Sequence, residues 1–171
     1  MTVSRQDDKP WKTDLARKAN ERREHVAREL EDVIVKAPSF EEALRLAVEL
    51  MKKRFARYSA VTAYVADGED LAVHIALDRP QGPERVGSSG GPLADAAQGT
   101  NPTVVGDLTS SVPWAAVGLS TGSAMVAPIR TEAGLWAILE VWSDFRDAFS
   151  APDSRLLGRV AQALAKKTPT A

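Results

Sequence analysis

The sequence predicts an α+β domain in which an antiparallel sheet carries helices gathered on one face. Three observations predict it. Apolar residues recur at helical spacing up to about residue 57, the pattern becomes strand-like from residue 60, and helical spacing returns after residue 150. Within the strand-like part, Asp67-Gly68-Glu69-Asp70 is a hairpin signal, and hairpins pair their strands antiparallel.

Taken in order, residues 12–36 mix charges of both signs and contain no Gly or Pro, so they form one long helix. Leu15, Ala16, Ala19, Val26, Ala27, Leu30, Val33, Ile34 and Ala37 make its apolar stripe, with a gap near Arg22 and Arg23. Two readings stay open: a helix lying on its own domain, or half of a dimer-forming seam, because Ala19, Val26 and Val33 stand seven apart. Pro38 interrupts the chain, and Ser39 with Glu42 forms a capping box for a second helix running to about residue 57. Ala43, Leu44, Ala47, Val48, Leu50, Met51 and Phe55 give that helix its apolar face. The run Lys52, Lys53, Arg54 and Arg57 suits its C-terminal dipole and reads as solvated surface ahead of a binding patch.

Strands are expected at residues 60–66 and 71–77, then an irregular stretch over 78–91 rich in Gly, Pro and Ser. A short helix at 92–98, a strand at 103–108 and a loop over 109–122 with one helical turn around Trp114 should follow. Two further strands, 123–129 and 135–143, lead into a final helix from 151 to about 167, capped by Ser150 with Asp153.

Composition trims the list of functions. The 171 residues hold 22 Lys plus Arg, 23 Asp plus Glu, two His and no Cys. With no cysteine there is no disulfide framework, thiolate metal site, cysteine nucleophile or thioether-linked chromophore. A net charge of −1 and a pI near 6.1 leave no overall basic footprint for nucleic acid or anionic lipid, so neither partner is expected. Residues 1–8 carry no apolar signal segment and no long apolar run occurs, so a cytoplasmic location is expected. No His pair or His–carboxylate set has metal-ligand spacing, and Ser88 and Asp95 lack a nearby His to complete a hydrolase triad. Phosphate-loop and dinucleotide signatures are absent too. The stretch Gly87-Ser88-Ser89-Gly90-Gly91 therefore reads as a turn bordering a pocket ahead of an anion cradle.

Two segments resemble the middle and end of a GAF domain. Val86 to Gly91 followed by Pro92-Leu93-Ala94-Asp95 and a strand ending in Asp107 matches that family's glycine-rich turn, short helix and strand. Ser123-Ala124-Met125-Val126-Ala127-Pro128-Ile129, the stretch from Leu135 to Ser143, and Phe149-Ser150-Ala151-Pro152-Asp153 resemble its closing strands and last helix. The resemblance implies a sheet of five to six strands with a loop-covered pocket opposite the helices. With the resemblance covering about residues 39–167, the expected division is a flexible terminus at 1–11, an amphipathic helix at 12–37 that is a candidate dimer helix, a GAF-like domain at 38–167 and a tail at 168–171. Among free-standing members, the free methionine-(R)-sulfoxide reductases use cysteines that this chain lacks. They also carry two last-strand carboxylates that fall at Glu140 and Trp142, so one is lost. Bilin attachment fails for the same want of cysteine, and the Asn-Lys-Phe-Asp-Glu set of cyclic-nucleotide binders is missing.

Strand alternation then places Trp136, Ile138, Glu140 and Trp142 on one face of the last strand and Leu135, Ala137, Leu139 and Val141 on the other. The first set should face the pocket with Thr62, Tyr64, Ala124 and Val126, near Asp107, while Trp114 closes over them. Aromatics around one carboxylate suit a cationic or amine-bearing ligand. The same residues also suit a packed interior with Glu140 accepting an indole hydrogen bond. His74, a lone strand histidine, reads as half-exposed ahead of a haem ligand, and His25 as solvated, so no cofactor or metal is expected. The expectation that follows is a non-catalytic GAF-like sensor or regulatory module, homodimeric, that signals through a partner protein. A ligand-free interaction or dimerisation scaffold is the alternative.

Overall fold

The computed structural model describes residues 9–80, 82–87, 92–110 and 121–169. Its elements are α1 (Pro10–Lys36), α2 (Phe40–Arg54), β1 (Ala60–Asp67), β2 (Asp70–Leu77), β3 (Arg85–Gly87), α3 (Pro92–Gln98), β4 (Thr103–Val105), β5 (Ser123–Thr131), β6 (Gly134–Ser143) and α4 (Ala151–Ala165). A turn of 3₁₀ helix, Leu108–Ser110, follows β4. The strands form one six-stranded antiparallel sheet in the order β3-β2-β1-β6-β5-β4, so β1 and β6 are central. The architecture is the expected α+β one.

Local chemistry accounts for the helix starts. The Ser39 hydroxyl accepts the Glu42 amide at 3.1 Å. At α4 the amide and hydroxyl of Ser150 both donate to Asp153 Oδ2, at 2.7 and 2.9 Å. α2 stops at Arg54, earlier than the pattern implies, because Phe55 turns extended and stacks on Tyr58 with ring centroids 4.6 Å apart. Gly68 takes the left-handed turn of the β1–β2 hairpin at φ 63°. Gly122 is needed for a different reason, since a Cβ there would fall 1.9 Å from the Ser143 carbonyl oxygen.

One face of the sheet carries the long helices. Val61, Ala63, Met125, Ala127, Ile129, Ala137, Leu139 and Val141 pack with Leu44, Val48 and Met51 of α2 and Leu157, Val160 and Leu164 of α4. Val26, Ala27, Leu30 and Ile34 of α1 join this core. This corrects the seam reading of α1: Val26, its central member, is 2% exposed because the helix packs on α2 and α4. Ion pairs fix the same stretch, with Arg159 reaching Glu24 and Glu31, Arg54 reaching Glu29 and Arg23 reaching Asp153. The first turns are different, and Trp11 and Leu15 there are 56% and 57% exposed.

Three departures from the sequence pattern bear on the site. Part of the stretch expected to be irregular forms β3, which pairs with β2 through Ala72↔Arg85, Leu71↔Val86 and Asp70↔Gly87. β4 ends at Val105, short of residue 108. β-Bulges also interrupt two strands. Ile129 pairs with Ala137 and Arg130 with Leu135, which leaves Trp136 as the extra residue of β6; Ala63 pairs with Ile75 and Tyr64 with Val73, which leaves His74 as the extra residue of β2.

Candidate functional site

On the sheet face opposite the long helices, the central strands bring together six of the expected residues. Thr62 and Tyr64 from β1, Ala124 and Val126 from β5, and Ile138 and Glu140 from β6 are all buried. Register explains the grouping: Thr62 and Val126 pair with Glu140 from either side, and Tyr64 pairs with Ile138. Leu93, Ala96 and Ala97 of α3, with Leu108 of the 3₁₀ turn, cover this layer. A small-residue helix can lie close to a sheet, and the Arg130 side chain fastens it by donating to the Ala97 carbonyl.

The middle of the layer is polar. Tyr64 donates its hydroxyl to Glu140 Oε1 at 3.2 Å. Glu140 Oε2 and Thr62 Oγ1, on directly paired residues, are buried with no hydrogen-bond partner among the described residues. Buried polar atoms are nearly always satisfied, so two such atoms on paired residues are unusual. Burial pushes the Glu140 carboxyl up to about 7, against a pull in the other direction from the Tyr64 hydrogen bond and Arg79. The Tyr64 phenol is likewise raised, first by burial and then by the Glu140 charge. Arg79, which the sequence pattern does not single out, holds its guanidinium 5.7 Å from the Tyr64 ring centroid. Its nitrogens donate to the Gly82 and Pro83 carbonyls at 3.4 and 2.8 Å, and that loop geometry carries no short-range sequence signal.

The other expected residues are dispersed. Trp136 is a correction. As the bulged residue it turns to the helix side, where its ring lies 6.0 Å from Phe40 and its indole N–H donates to Thr131 Oγ1 at 3.0 Å. Leu135 changes sides with it and packs into the layer around Tyr64. Trp142 stays on the expected face, half-buried, its indole N–H on the Thr121 carbonyl at 2.8 Å. Asp107 accepts the Thr109 amide and hydroxyl at 3.0 and 2.6 Å, and Arg146 approaches it at 3.7 Å. Trp114 and residues 88–91 lie outside the described residues. His74, exposed, lines a groove with Phe40, Glu41 and Trp136. His25 is exposed on α1. Among the described residues no group of three or more His, Cys, Asp or Glu could hold a metal ion, and no helix is long and apolar enough to cross a membrane.

No protein-family model and no curated protein matches the chain. Solved structures do. A protein described as a GAF sensor from Burkholderia vietnamiensis superposes with a TM-score of 0.78 at 19% identity, covering 86% of this chain and 94% of its own. The fold is that of a GAF domain. A GAF domain from a Coxiella burnetii phosphoenolpyruvate-protein phosphotransferase gives 0.73 at 16% identity, covering 86% and 93%. Free methionine-R-sulfoxide reductase from Neisseria meningitidis, solved with its substrate, gives 0.76 at 22%, covering 85% and 87%. That last likeness, with a type II reductase from Thermoplasma acidophilum at a TM-score of 0.67, corrects the expectation that the chain is not an enzyme. Enzymes share this GAF fold as closely as sensors do, so the architecture gives no ground for excluding catalysis.

Proposed function

We propose that this GAF-fold chain is a small-molecule-binding regulatory module whose ligand enters between the central strands and α3 and presents a hydrogen-bond donor to Glu140. The supporting observation is the pair of buried atoms, Glu140 Oε2 and Thr62 Oγ1, that have no hydrogen-bond partner among the described residues and stand on facing positions of β1 and β6. Either protonation state of the carboxyl leaves something unmet there: the anion lacks a donor, and the acid lacks an acceptor for its proton. A primary amine or other compact cation meets both atoms, because an ammonium gives protons to the carboxylate and to the hydroxyl oxygen. The Tyr64 ring adds an aromatic wall.

Calorimetry with a panel of small primary amines and quaternary ammonium ions tests the reading. Binding by the wild type, and its loss in Glu140→Gln, supports it; no heat from any cation at millimolar concentration rejects it. The sign of the pH effect is fixed. A cation prefers the ionised carboxylate, so binding strengthens as pH rises through about 7 and releases a proton below that value.

We further propose that the module works as a homodimer and passes its signal to a partner protein. The support is confined to the first turns of α1, where Trp11 and Leu15 stand exposed one turn apart. Light scattering of the full chain should give a dimer that Trp11→Ala with Leu15→Glu converts to monomer. A wild-type monomer rejects the pairing.

A further inference from the structure

Where α1 meets the α2–β1 connection and the start of α4, four arginines converge on one cavity. Arg22, Arg23, Arg54 and Arg57 line it with Ala19, Phe55, Ala56, Tyr58, Ala148 and Asp153, around about 320 Å³. Their charges are unequally spent. Arg54 is paired with Glu29 at 2.5 Å and Arg23 with Asp153 at 2.7 Å. Arg22 donates to the Arg54 carbonyl at 2.6 Å, and neither Arg22 nor Arg57 has a carboxylate partner among the described residues. Among the described residues, two guanidinium groups at the rim therefore lack a carboxylate partner.

A second observation is independent of charge. Tyr58 is 3% exposed, and its hydroxyl has no hydrogen-bond partner among the described residues. Tyr58 lines the cavity together with Arg23 and Asp153. A buried phenol normally finds a partner. The remaining wall is apolar, with the stacked rings of Phe55 and Tyr58 beside Ala19, Ala56 and Ala148.

We propose that this cavity binds a small organic oxyanion, a phosphate monoester or carboxylate carrying an apolar body. Arg22 and Arg57 hold the charged group, Tyr58 donates its hydroxyl, and the Phe55–Tyr58 stack takes the body. A phosphate or carboxylate accepts several N–H bonds in the fork geometry that guanidinium groups offer. The volume lies at the small end of the range of ligand pockets. The site is distinct from the one around Glu140, because it lies on the other side of the sheet among the helices. It also sits where the anchored part of α1 gives way to its exposed first turns, so an occupant there ties α1 to the α2–β1 connection and to α4.

The test is a titration of the isotope-labelled full chain, followed by amide NMR shifts, with phenyl phosphate, benzoate and inorganic phosphate, and with sodium chloride at matched ionic strength as control. Saturable shifts at residues 55–58 and 153 with phenyl phosphate or benzoate are expected, weaker with inorganic phosphate and absent with chloride; whichever organic anion binds tighter identifies the class. Arg57→Gln, an exposed change that leaves the fold intact, should weaken binding about tenfold by removing one charge-assisted bond. Tyr58→Phe should weaken it too while raising the melting temperature, because it removes a buried hydroxyl that has no partner among the described residues. Glu140→Gln should leave this binding unchanged, which separates failure here from failure of the amine site. Shifts that do not saturate, that chloride reproduces, or that Arg57→Gln and Tyr58→Phe leave at wild-type strength overturn the proposal.

Discussion

Along β6, Leu139 and Val141 face α2 and α4 while Ile138 and Glu140 face α3, and all are buried. The two faces of this strand nevertheless differ in kind. On the helix side the buried sheet residues are aliphatic, small or Met, and they join one continuous core with three helices. On the α3 side a carboxyl, a phenol and a threonine hydroxyl occupy the centre, and two of their oxygens have no hydrogen-bond partner among the described residues. Burying an unsatisfied polar group costs free energy that a Leu or Val at the same place would not. The helix face is thus built for stability, and the α3 face gives some of it up to hold buried polar atoms.

The largest effect should come from the helix face. Leu30 on α1 is fully buried, and Leu30→Ala should cost about 2–5 kcal/mol by leaving a cavity, at any pH and without changing amine binding. Urea unfolding measures it. A loss well below that range would mean that α1 is less firmly docked than its burial implies.

The α3 face should respond to pH instead. An ordinary glutamate titrates near 4.5 and Glu140 is pushed up to about 7, so the folded state holds its proton more tightly than the unfolded chain does. Its contribution is therefore favourable below the unfolded value and is lost as pH rises through the folded one. Over that window the wild type should lose about 3 kcal/mol relative to Glu140→Gln, which cannot ionise. Denaturant midpoints for both proteins across the window check it, and parallel curves would show that Glu140 is not desolvated. Tyr64→Phe tests the same site more gently. Losing the hydroxyl that donates to Oε1 removes a hydrogen bond that lowers the Glu140 value, so the midpoint of the pH curve should move upward.

How far the sequence showed these faces depends on the range of the interactions. The capping residues Ser39 and Ser150, the turn at Gly68 and the alternation that groups Thr62, Tyr64, Ile138 and Glu140 are local, and they were legible. Trp136 was not, because period-two alternation assumes an unbroken register and the bulge is set by the partner strand. β3 was missed for the same reason, being three residues that become a strand only by pairing with β2. The apolar stripe of α1 announced a buried face without saying against what. Arg159, more than a hundred residues away, supplies the contacts to Glu24 and Glu31 that help to hold it down. Arg79 reaches the site by a loop conformation that no spacing encodes.

The smallest predicted change discriminates most sharply between a ligand site and a merely imperfect core. Thr62→Val replaces the orphan hydroxyl by a methyl of nearly the same size, directly opposite Glu140. If the hydroxyl serves only the fold, its removal should be neutral for any ligand and raise stability by about 1–2 kcal/mol, the cost of an unmet buried polar group. If it also receives a ligand donor, the same variant gains that stability and loses amine affinity, by about tenfold for one hydrogen bond to a charged group. Melting temperature and calorimetric affinity then move in opposite directions on a single substitution. A variant that is both less stable and unchanged in binding would show instead that a partner already satisfies Thr62, and the contrast between the two faces of the sheet would rest on Glu140 alone.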